Sequence, residues 1–156
     1  RYRQPDNELS ALRFGGQIVA YSNAHYGNPE FILTPGRGVN TGDGWETARR
    51  RVPGNEWIII KLGRPGIAER IEIDTAHFKG NFPSGCTLQA ALSPNLQQEA
   101  LVAQAMFWEE ILDYRELSAD SIHSFDIKTL GAVSHVKLNI FPDGGVSRVR
   151  VFGQAK

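Results

Sequence analysis

One segment of the sequence carries side chains suited to acid–base chemistry. Residues 74–83 place Asp74, His77, Lys79 and Asn81 close together, separated by small and aromatic residues, at the point where a predicted strand gives way to a loop. Histidine titrates nearest to neutral pH among the ordinary side chains. A carboxylate beside it can assist proton transfer, so we predict His77 with Asp74 as an acid/base pair. An extended surface strand with a merely hydrated histidine is the alternative for the same residues.

A glycine-rich segment precedes it. Residues 37–46 contain Arg37, Asp43 and Glu46 among several glycines, and Arg49 follows. Glycine permits close approach of the backbone to a ligand, and Glu46 is a second carboxylate candidate to act with His77. The segment lacks the Lys-Ser/Thr pair of a phosphate-binding loop. An ordinary hairpin closed by a tryptophan has the same composition.

The third polar segment is a hairpin. Residues 139–148 have the composition of a tight turn between the last two strands, and Arg148 begins the returning strand. A guanidinium group binds a carboxylate in a two-pronged geometry, so Arg148, Arg37 and Arg49 are candidate anion-binding residues. Arg50 and Arg51 extend a run of charge that is more typical of a hydrated face. A hairpin without any ligand is the alternative.

Metal and nucleophile signatures are weak. His25, His123 and His135 are far apart in the sequence, and Cys86 is the single cysteine. A divalent metal held by the carboxylates and histidine of the polar segments is conceivable, but their spacing does not require one. We therefore predict no metal and no cofactor.

Strands must position these segments, because the hydrophobic pattern is that of an all-β protein. Apolar and polar residues alternate over residues 67–73, 136–140 and 149–151, and residues 57–62 form a continuous apolar run. Short strands separated by Gly- and Pro-rich turns indicate a β-sandwich or jelly roll. One short helix is predicted around residues 95–105. Residues 1–14 are predicted as an N-terminal arm or linker remnant, and residues 15–153 as a single domain.

Composition narrows the function classes. The 156 residues are 41% hydrophobic and 22% charged, with a formal net charge of zero, which indicates a globular domain and gives no electrostatic support for a nucleic-acid or anionic-membrane binder. A single cysteine fits a reducing compartment, so we expect a cytoplasmic protein. The sequence shows no apolar run of membrane-spanning length and no signal peptide.

Four stretches of the sequence resemble the allantoicase repeat. They are Asp-Gly-Trp-Glu at residues 43–46, the buried run and its turn at 57–67, the stretch with Asp-Thr-Ala-His-Phe at 72–83, and Phe-Pro-Asp-Gly-Gly-Val-Ser-Arg within 141–153. The resemblance runs from about residue 15 to residue 153. It implies a jelly roll of the galactose-binding-like kind that hydrolyses allantoate to ureidoglycolate and urea in purine and allantoin degradation.

The resemblance also has consequences for partners. Members of this family carry two tandem repeats, whereas this chain holds one, which looks more like the second than the first. A sister repeat and a homo-oligomer are therefore the implied partners, besides the substrate. A site built between repeats would be incomplete in this chain.

Allantoate has one carboxylate and two ureido arms, and the polar segments hold suitable groups for both. We predict catalytic roles for His77, Asp74 and Glu46. We predict substrate binding by Arg37, Asp43, Arg49, Lys79, Asn81 and Arg148.

Two other functions fit the same pattern. A non-catalytic galactose-binding-like module would bind a sugar or a partner domain through these loops, with Trp45, Phe78 and Phe82 available to stack on a sugar. Alternatively, this repeat is the structural half of an enzyme whose sister repeat is catalytic.

Overall fold

The computed structural model describes residues 8–156, so the first seven residues of the predicted arm lie outside the described part of the chain. The predicted all-β sandwich with one short helix is confirmed. Its elements, in chain order, are β1 Gln17–Tyr21, β2 Trp45–Glu46, β3 Glu56–Asp74, β4 Gly85–Ala91, α1 Gln98–Ala105, β5 Glu109–Glu116, β6 Ile122–Asp126, β7 Val133–Phe141, β8 Gly145–Val146 and β9 Arg148–Ala155.

Two antiparallel layers enclose the core. The first half of β3 lies between β1 and β7, and β4 and β5 extend that layer in the order β1-β3-β7-β4-β5. The second half of β3 pairs with β6 on one side and β9 on the other. Ile58 and Ile60 from the first layer pack in one cluster with Ile71 and Ile73 from the second. Burial of this apolar surface stabilises the sandwich at about 25 cal/mol per Å².

The long strand β3 corrects one sequence prediction. Gly63-Arg-Pro-Gly has the composition of a turn between two strands, but these residues stay extended, and β3 carries the chain from one layer to the other. The β7 register breaks between Lys61 and Gly66. Neighbouring backbone supplies the missing partners, because Gly63 donates to the carbonyl of Leu9 at 2.9 Å and Pro65 accepts from the N–H of Lys156 at 2.8 Å.

Residues 8–14, which the sequence assigns to the arm, lie against the sandwich. Leu9 donates to the carbonyl of Val151 at 2.7 Å, and the hydroxyl of Ser10 accepts from the N–H of Val151 at 2.8 Å. Leu9 and Ala11 are fully or almost fully buried. This backbone covers the open edge of β9, an arrangement that hides unpaired strand groups.

Helix α1 covers the outer face of the first layer. It begins at Gln98, later than predicted, and Leu101 and Ala105 pack on Ile59 and Ala20. Within residues 8–156 no helix is long and apolar enough to cross a bilayer.

Candidate functional site

The three polar segments meet at one end of the sandwich. Trp45 of β2 pairs with Val146 of β8, and the N–H of Gly145 donates to the carbonyl of Asn81 at 2.9 Å. His77 reaches the glycine-rich segment, with its Nε2 2.6 Å from the carbonyl oxygen of Gly38. We call this end the rim; it comprises residues 36–46, 74–83, 118–122 and 143–148.

The turn after β3 is built by Asp74. Its Oδ1 accepts from the N–H of Ala76 at 2.8 Å, and its carbonyl accepts from the N–H of Ser147 at 2.7 Å. A side-chain bond to the backbone two residues onward is the usual way an aspartate starts a turn. The turn then places His77 at a φ of 74°, in the left-handed region that few side chains adopt.

A small hollow of about 100 Å³ opens at the rim. Asp74 lines it and is only 7% exposed. Its other lining residues are Gly36, Arg37, Glu72, Ile122, Arg148 and Arg150. The hollow therefore combines two carboxylates, of which Asp74 is nearly buried, with three guanidinium groups.

Arg148 holds the glycine-rich segment in place. Its Nε donates to the carbonyl of Gly36 at 3.1 Å, and its Nη1 donates to the carbonyls of Asp43 at 2.8 Å and Ser147 at 2.7 Å. Its Nη2 donates to Asp43 Oδ2 at 3.0 Å. Four of its five N–H groups are thus engaged, and the side chain is buried.

The carboxylate of Asp43 is stabilised in its ionised form. Burial acts to raise its pKa, but hydrogen bonds from Arg148 and from the N–H of Val39 outweigh that effect, and the charges of Arg148 and His77 add to them. The pKa of Asp43 therefore lies below its ordinary value.

His77 has a defined tautomer in this arrangement. A carbonyl only accepts, so the proton lies on Nε2 and points to Gly38, and in the neutral ring Nδ1 is an acceptor. The backbone N–H of His77 donates to Asp120 Oδ1 at 2.7 Å. Arg37 lies 3.5 Å from the same oxygen, with its side chain largely exposed.

Asp120 is a rim residue that the sequence did not indicate. The hydrogen bond from the N–H of His77, with the charges of Lys79 and Arg37, holds the pKa of its carboxyl below the ordinary value and outweighs the opposing effect of desolvation. Its flanking residues form no recognisable motif, so no sequence signal was available.

Arg150, which lines the hollow, is another residue that the sequence did not indicate as functional. It donates to Glu8 at 3.3 Å, to the carbonyl of Thr34 at 3.2 Å and to the carbonyl of Gly36 at 2.7 Å. It faces the hollow together with Glu72, its partner in the β3–β9 register. Both residues occupy polar positions of alternating strands, which the pattern assigns to a hydrated face.

The remaining predicted residues divide into two groups. Glu46 and Asn81 form a pair, in which the Asn81 amide donates to Glu46 Oε2 at 2.6 Å. Arg49 and Lys79 are exposed, and within residues 8–156 neither side chain forms a hydrogen bond or an ion pair. The structure therefore brings Asp74, Arg37 and Arg148 together at the hollow, and leaves Arg49 and Lys79 facing solvent.

The aromatic residues considered for sugar stacking are mostly inaccessible. Trp45 is fully buried and donates from Nε1 to the carbonyl of Asn23 at 2.7 Å, and Phe78 is 2% exposed. Phe82 is half-buried. Trp45 and Phe78 are core residues beneath the surface of the rim.

Among residues 8–156, no group of three or more His, Cys, Asp or Glu side chains is arranged to hold a metal ion.

Comparison with known proteins places the chain among relatives of one kind. The family described as the allantoicase repeat matches residues 7–156. A protein of Burkholderia pseudomallei (strain K96243) named "Probable allantoicase 2" is 53% identical over 149 residues, which cover 94% of this chain and 44% of that protein.

Solved structures similar to this chain also include an allantoicase. The crystal structure of allantoicase from Saccharomyces cerevisiae matches with a TM-score of 0.81 and 40% identity, covering 94% of this chain and 42% of that one. The C-terminal domain of a chitobiase from Bacteroides fragilis matches 96% of this chain and 99% of its own length, with a TM-score of 0.70 and 15% identity, and family 32 carbohydrate-binding modules share the fold. These likenesses identify a galactose-binding-like sandwich. The chain spans less than half the length of the curated relatives it matches. Because its sequence and its fold both match, the chain belongs to the allantoicase family.

Proposed function

We propose that this chain contributes to the active site of an allantoicase, which hydrolyses allantoate to ureidoglycolate and urea. One observation carries the proposal beyond family membership: the nearly buried carboxylate of Asp74 shares the rim hollow with the guanidinium groups of Arg37, Arg148 and Arg150. A carboxylate that moves protons beside cations that bind an anion is the combination that this substrate needs.

The reaction defines what the residues must do. The bond between the central carbon of allantoate and one ureido nitrogen breaks, and a bond from that carbon to the oxygen of water forms. One proton of the water ends on the departing urea nitrogen. The site must therefore bind the carboxylate, hold the ureido N–H groups, deliver a proton to the leaving nitrogen and accept one from water.

Arg37 is proposed to bind the substrate carboxylate. Its side chain is 63% exposed, and its 3.5 Å contact with Asp120 is loose enough to exchange for a ligand. Within residues 8–156, one N–H on Nη2 of Arg148 has no acceptor, and it is proposed to bind the same anion. We propose that Arg148 and Asp43 act chiefly by positioning the glycine-rich segment.

Asp74 and His77 are proposed as the acid/base groups. The second oxygen of Asp74 has no hydrogen-bond partner among residues 8–156, and Nδ1 of His77 is similarly free of one. Glu46 and Asn81 each retain an acceptor oxygen for ureido N–H groups. Arg49 and Lys79, both exposed at the same end, are proposed to meet substrate only when another surface closes over the rim.

The size of the hollow supports a composite site. A volume of about 100 Å³ corresponds to roughly three water molecules, whereas allantoate has about a dozen non-hydrogen atoms. The hollow suits a carboxylate or one ureido arm. We propose that a sister repeat or a second copy of the chain encloses the remainder, in a homo-oligomer.

The burial of Trp45 and Phe78 removes two of the three stacking surfaces that a sugar-binding module would use, which favours the enzyme. The free thiol of Cys86, buried as it is, fits the reducing environment of the cytoplasm, where we propose the reaction occurs.

The test is urea release from allantoate, measured for this chain alone and mixed with the remaining part of a full-length relative. We expect turnover in the mixture and a loss of about 100-fold or more in kcat with Asp74→Asn. Asp126→Asn, an exposed aspartate on β6, is the matched control and should retain turnover. Equal turnover in the Asp74→Asn protein would remove that carboxylate from the mechanism.

A further inference from the structure

A larger hollow lies away from the rim, between α1 and the outer face of the first layer. Its volume is about 330 Å³, which is in the range of small-molecule sites. Its lining residues are Gln17, Val19, Lys61, Asn95, Leu96, Gln98, Leu101 and His135. None of them lines the rim hollow. His135 lies near the start of β7.

His135 presents a nearly buried ring to this hollow. The residue is 3% exposed, and its Nδ1 lies 2.7 Å from the hydroxyl of Ser134. That hydroxyl accepts from the N–H of Ser93 at 2.8 Å and lies 3.2 Å from the carbonyl of Ser93, to which it can donate while accepting a hydrogen bond from the Nδ1–H of His135. Within residues 8–156, Nε2 of His135 has no hydrogen-bond partner. His135 lines the hollow, so a ligand bound there would give Nε2 a hydrogen-bond partner.

Positive charge surrounds the same space. Lys61 lines the hollow and donates from Nζ to Asn95 Oδ1 at 3.1 Å. Helix α1 begins beside it, and no side chain of the described residues caps its first N–H groups, so the helix start adds partial positive charge. Glu99, the acidic residue of the first helical turn, is exposed and does not line the hollow.

Uncharged polar groups complete the lining. Gln17, Asn95 and Gln98 supply amide groups, and Gln98 is fixed by donating to the carbonyl of Val19 at 3.2 Å.

Without a ligand, burial and the charge of Lys61 hold the pKa of His135 below its ordinary value. An anion between the two residues would oppose both effects by attracting a proton to the ring.

We propose that this hollow is a second binding site, separate from the rim, which holds a small carboxylate between the ammonium of Lys61 and the Nε2–H of His135. The amide groups of Gln17 and Asn95 complete its hydrogen bonds. The site goes beyond the proposed function, since it shares no residue with the rim.

Malonate is the probe, and nuclear magnetic resonance of the isotope-labelled chain is the measurement. We expect saturable shifts of the His135 ring and of the backbone amides of residues 95–98. The pKa of His135, followed by its ring protons, should rise when malonate is present. Urea, which is uncharged, and chloride at equal ionic strength are the comparison solutes and should not reproduce the saturable shifts.

Two variants and one control locate the site. Lys61→Met and His135→Gln should weaken malonate binding about tenfold or more, while Lys156→Met, which removes an exposed lysine, should not change it. If the His135→Gln protein does not fold, malonate binding by the Lys61→Met protein still tests the proposal. Shifts that chloride reproduces, or equal binding by the Lys61→Met and Lys156→Met proteins, would overturn the proposal. Rim variants such as Arg37→Met should leave malonate binding intact, so this test is independent of the allantoicase proposal.

Discussion

The buried guanidinium of Arg148 lies 3.0 Å from the carboxylate of Asp43 and ties the first residue of β9 to the glycine-rich segment. The two residues are remote in sequence, and the contact fixes one side of the rim hollow. Arg148 also donates to the carbonyls of Gly36 and Ser147, so one side chain sets the course of the surrounding backbone. The hollow therefore depends on this ion pair for its shape.

Removing the guanidinium should destabilise the fold. Arg148→Met leaves the Asp43 carboxylate and several backbone carbonyls without their donor, and we expect a loss of about 3 kcal/mol in the free energy of unfolding by urea. Arg51→Met, at an exposed arginine, should change it by no more than about 0.5 kcal/mol. A loss below about 1 kcal/mol in the Arg148→Met protein would contradict this role.

The same pair predicts a dependence on pH. Because the folded state lowers the pKa of Asp43 below the ordinary 3.8, its contribution to stability is present above that pH and is lost as the pH falls through the lower folded value. Asp43→Asn should therefore be destabilising at pH 7, and the difference from the parent chain should shrink in acid. Urea unfolding at neutral and acidic pH measures this, and a constant difference would refute it.

Gly38 is a position where a side chain should not fit. A Cβ there would collide with the buried hydroxyl of Ser147 and lie 3.2 Å from the carbonyl oxygen of Asp43. We expect Gly38→Ala to lower the free energy of unfolding by about 1–3 kcal/mol. Gly80→Ala is the control, because Gly80 is on the same rim and no atom of residues 8–156 lies within 4 Å of the new methyl group. Equal stability of the two proteins would show that the glycine-rich segment relaxes without cost.

His77 should affect turnover more than stability. Asparagine tolerates the left-handed backbone that His77 adopts, so His77→Asn should cost only about 1 kcal/mol of stability. If the ring carries a proton in the reaction, urea release from allantoate should fall about 100-fold or more. Unchanged turnover in a folded His77→Asn protein would remove the ring from the mechanism.

The fold was predictable because its signals are local. Alternation places Ile71 and Ile73 in the core, and the buried run after Trp57 forms the centre of the first layer, as the pattern predicted. The Gly63-to-Gly66 stretch was predicted wrongly as a turn. Its extended course depends on backbone partners from Leu9 and Lys156, which are distant in sequence.

The candidate site was predictable only in part. The polar segments were identified by residue type. The sequence could not show that most N–H groups of Arg148 would donate to backbone carbonyls. Nor could it show that Arg150, at a polar position of an alternating strand, would line the hollow. Both outcomes are set by packing between the last strand and the glycine-rich segment.

The rim hollow is proposed to bind the substrate carboxylate through Arg37, beside groups that hold a ureido arm. Hydantoate has a carboxylate and one ureido arm but no second arm to release, so it tests binding without turnover. Titrated into the isotope-labelled chain, it should produce saturable amide shifts concentrated in residues 36–43, 74–81 and 145–148, and Arg37→Met should weaken binding about tenfold. Shifts confined to other surfaces, or binding unaffected by Arg37→Met, would contradict the account.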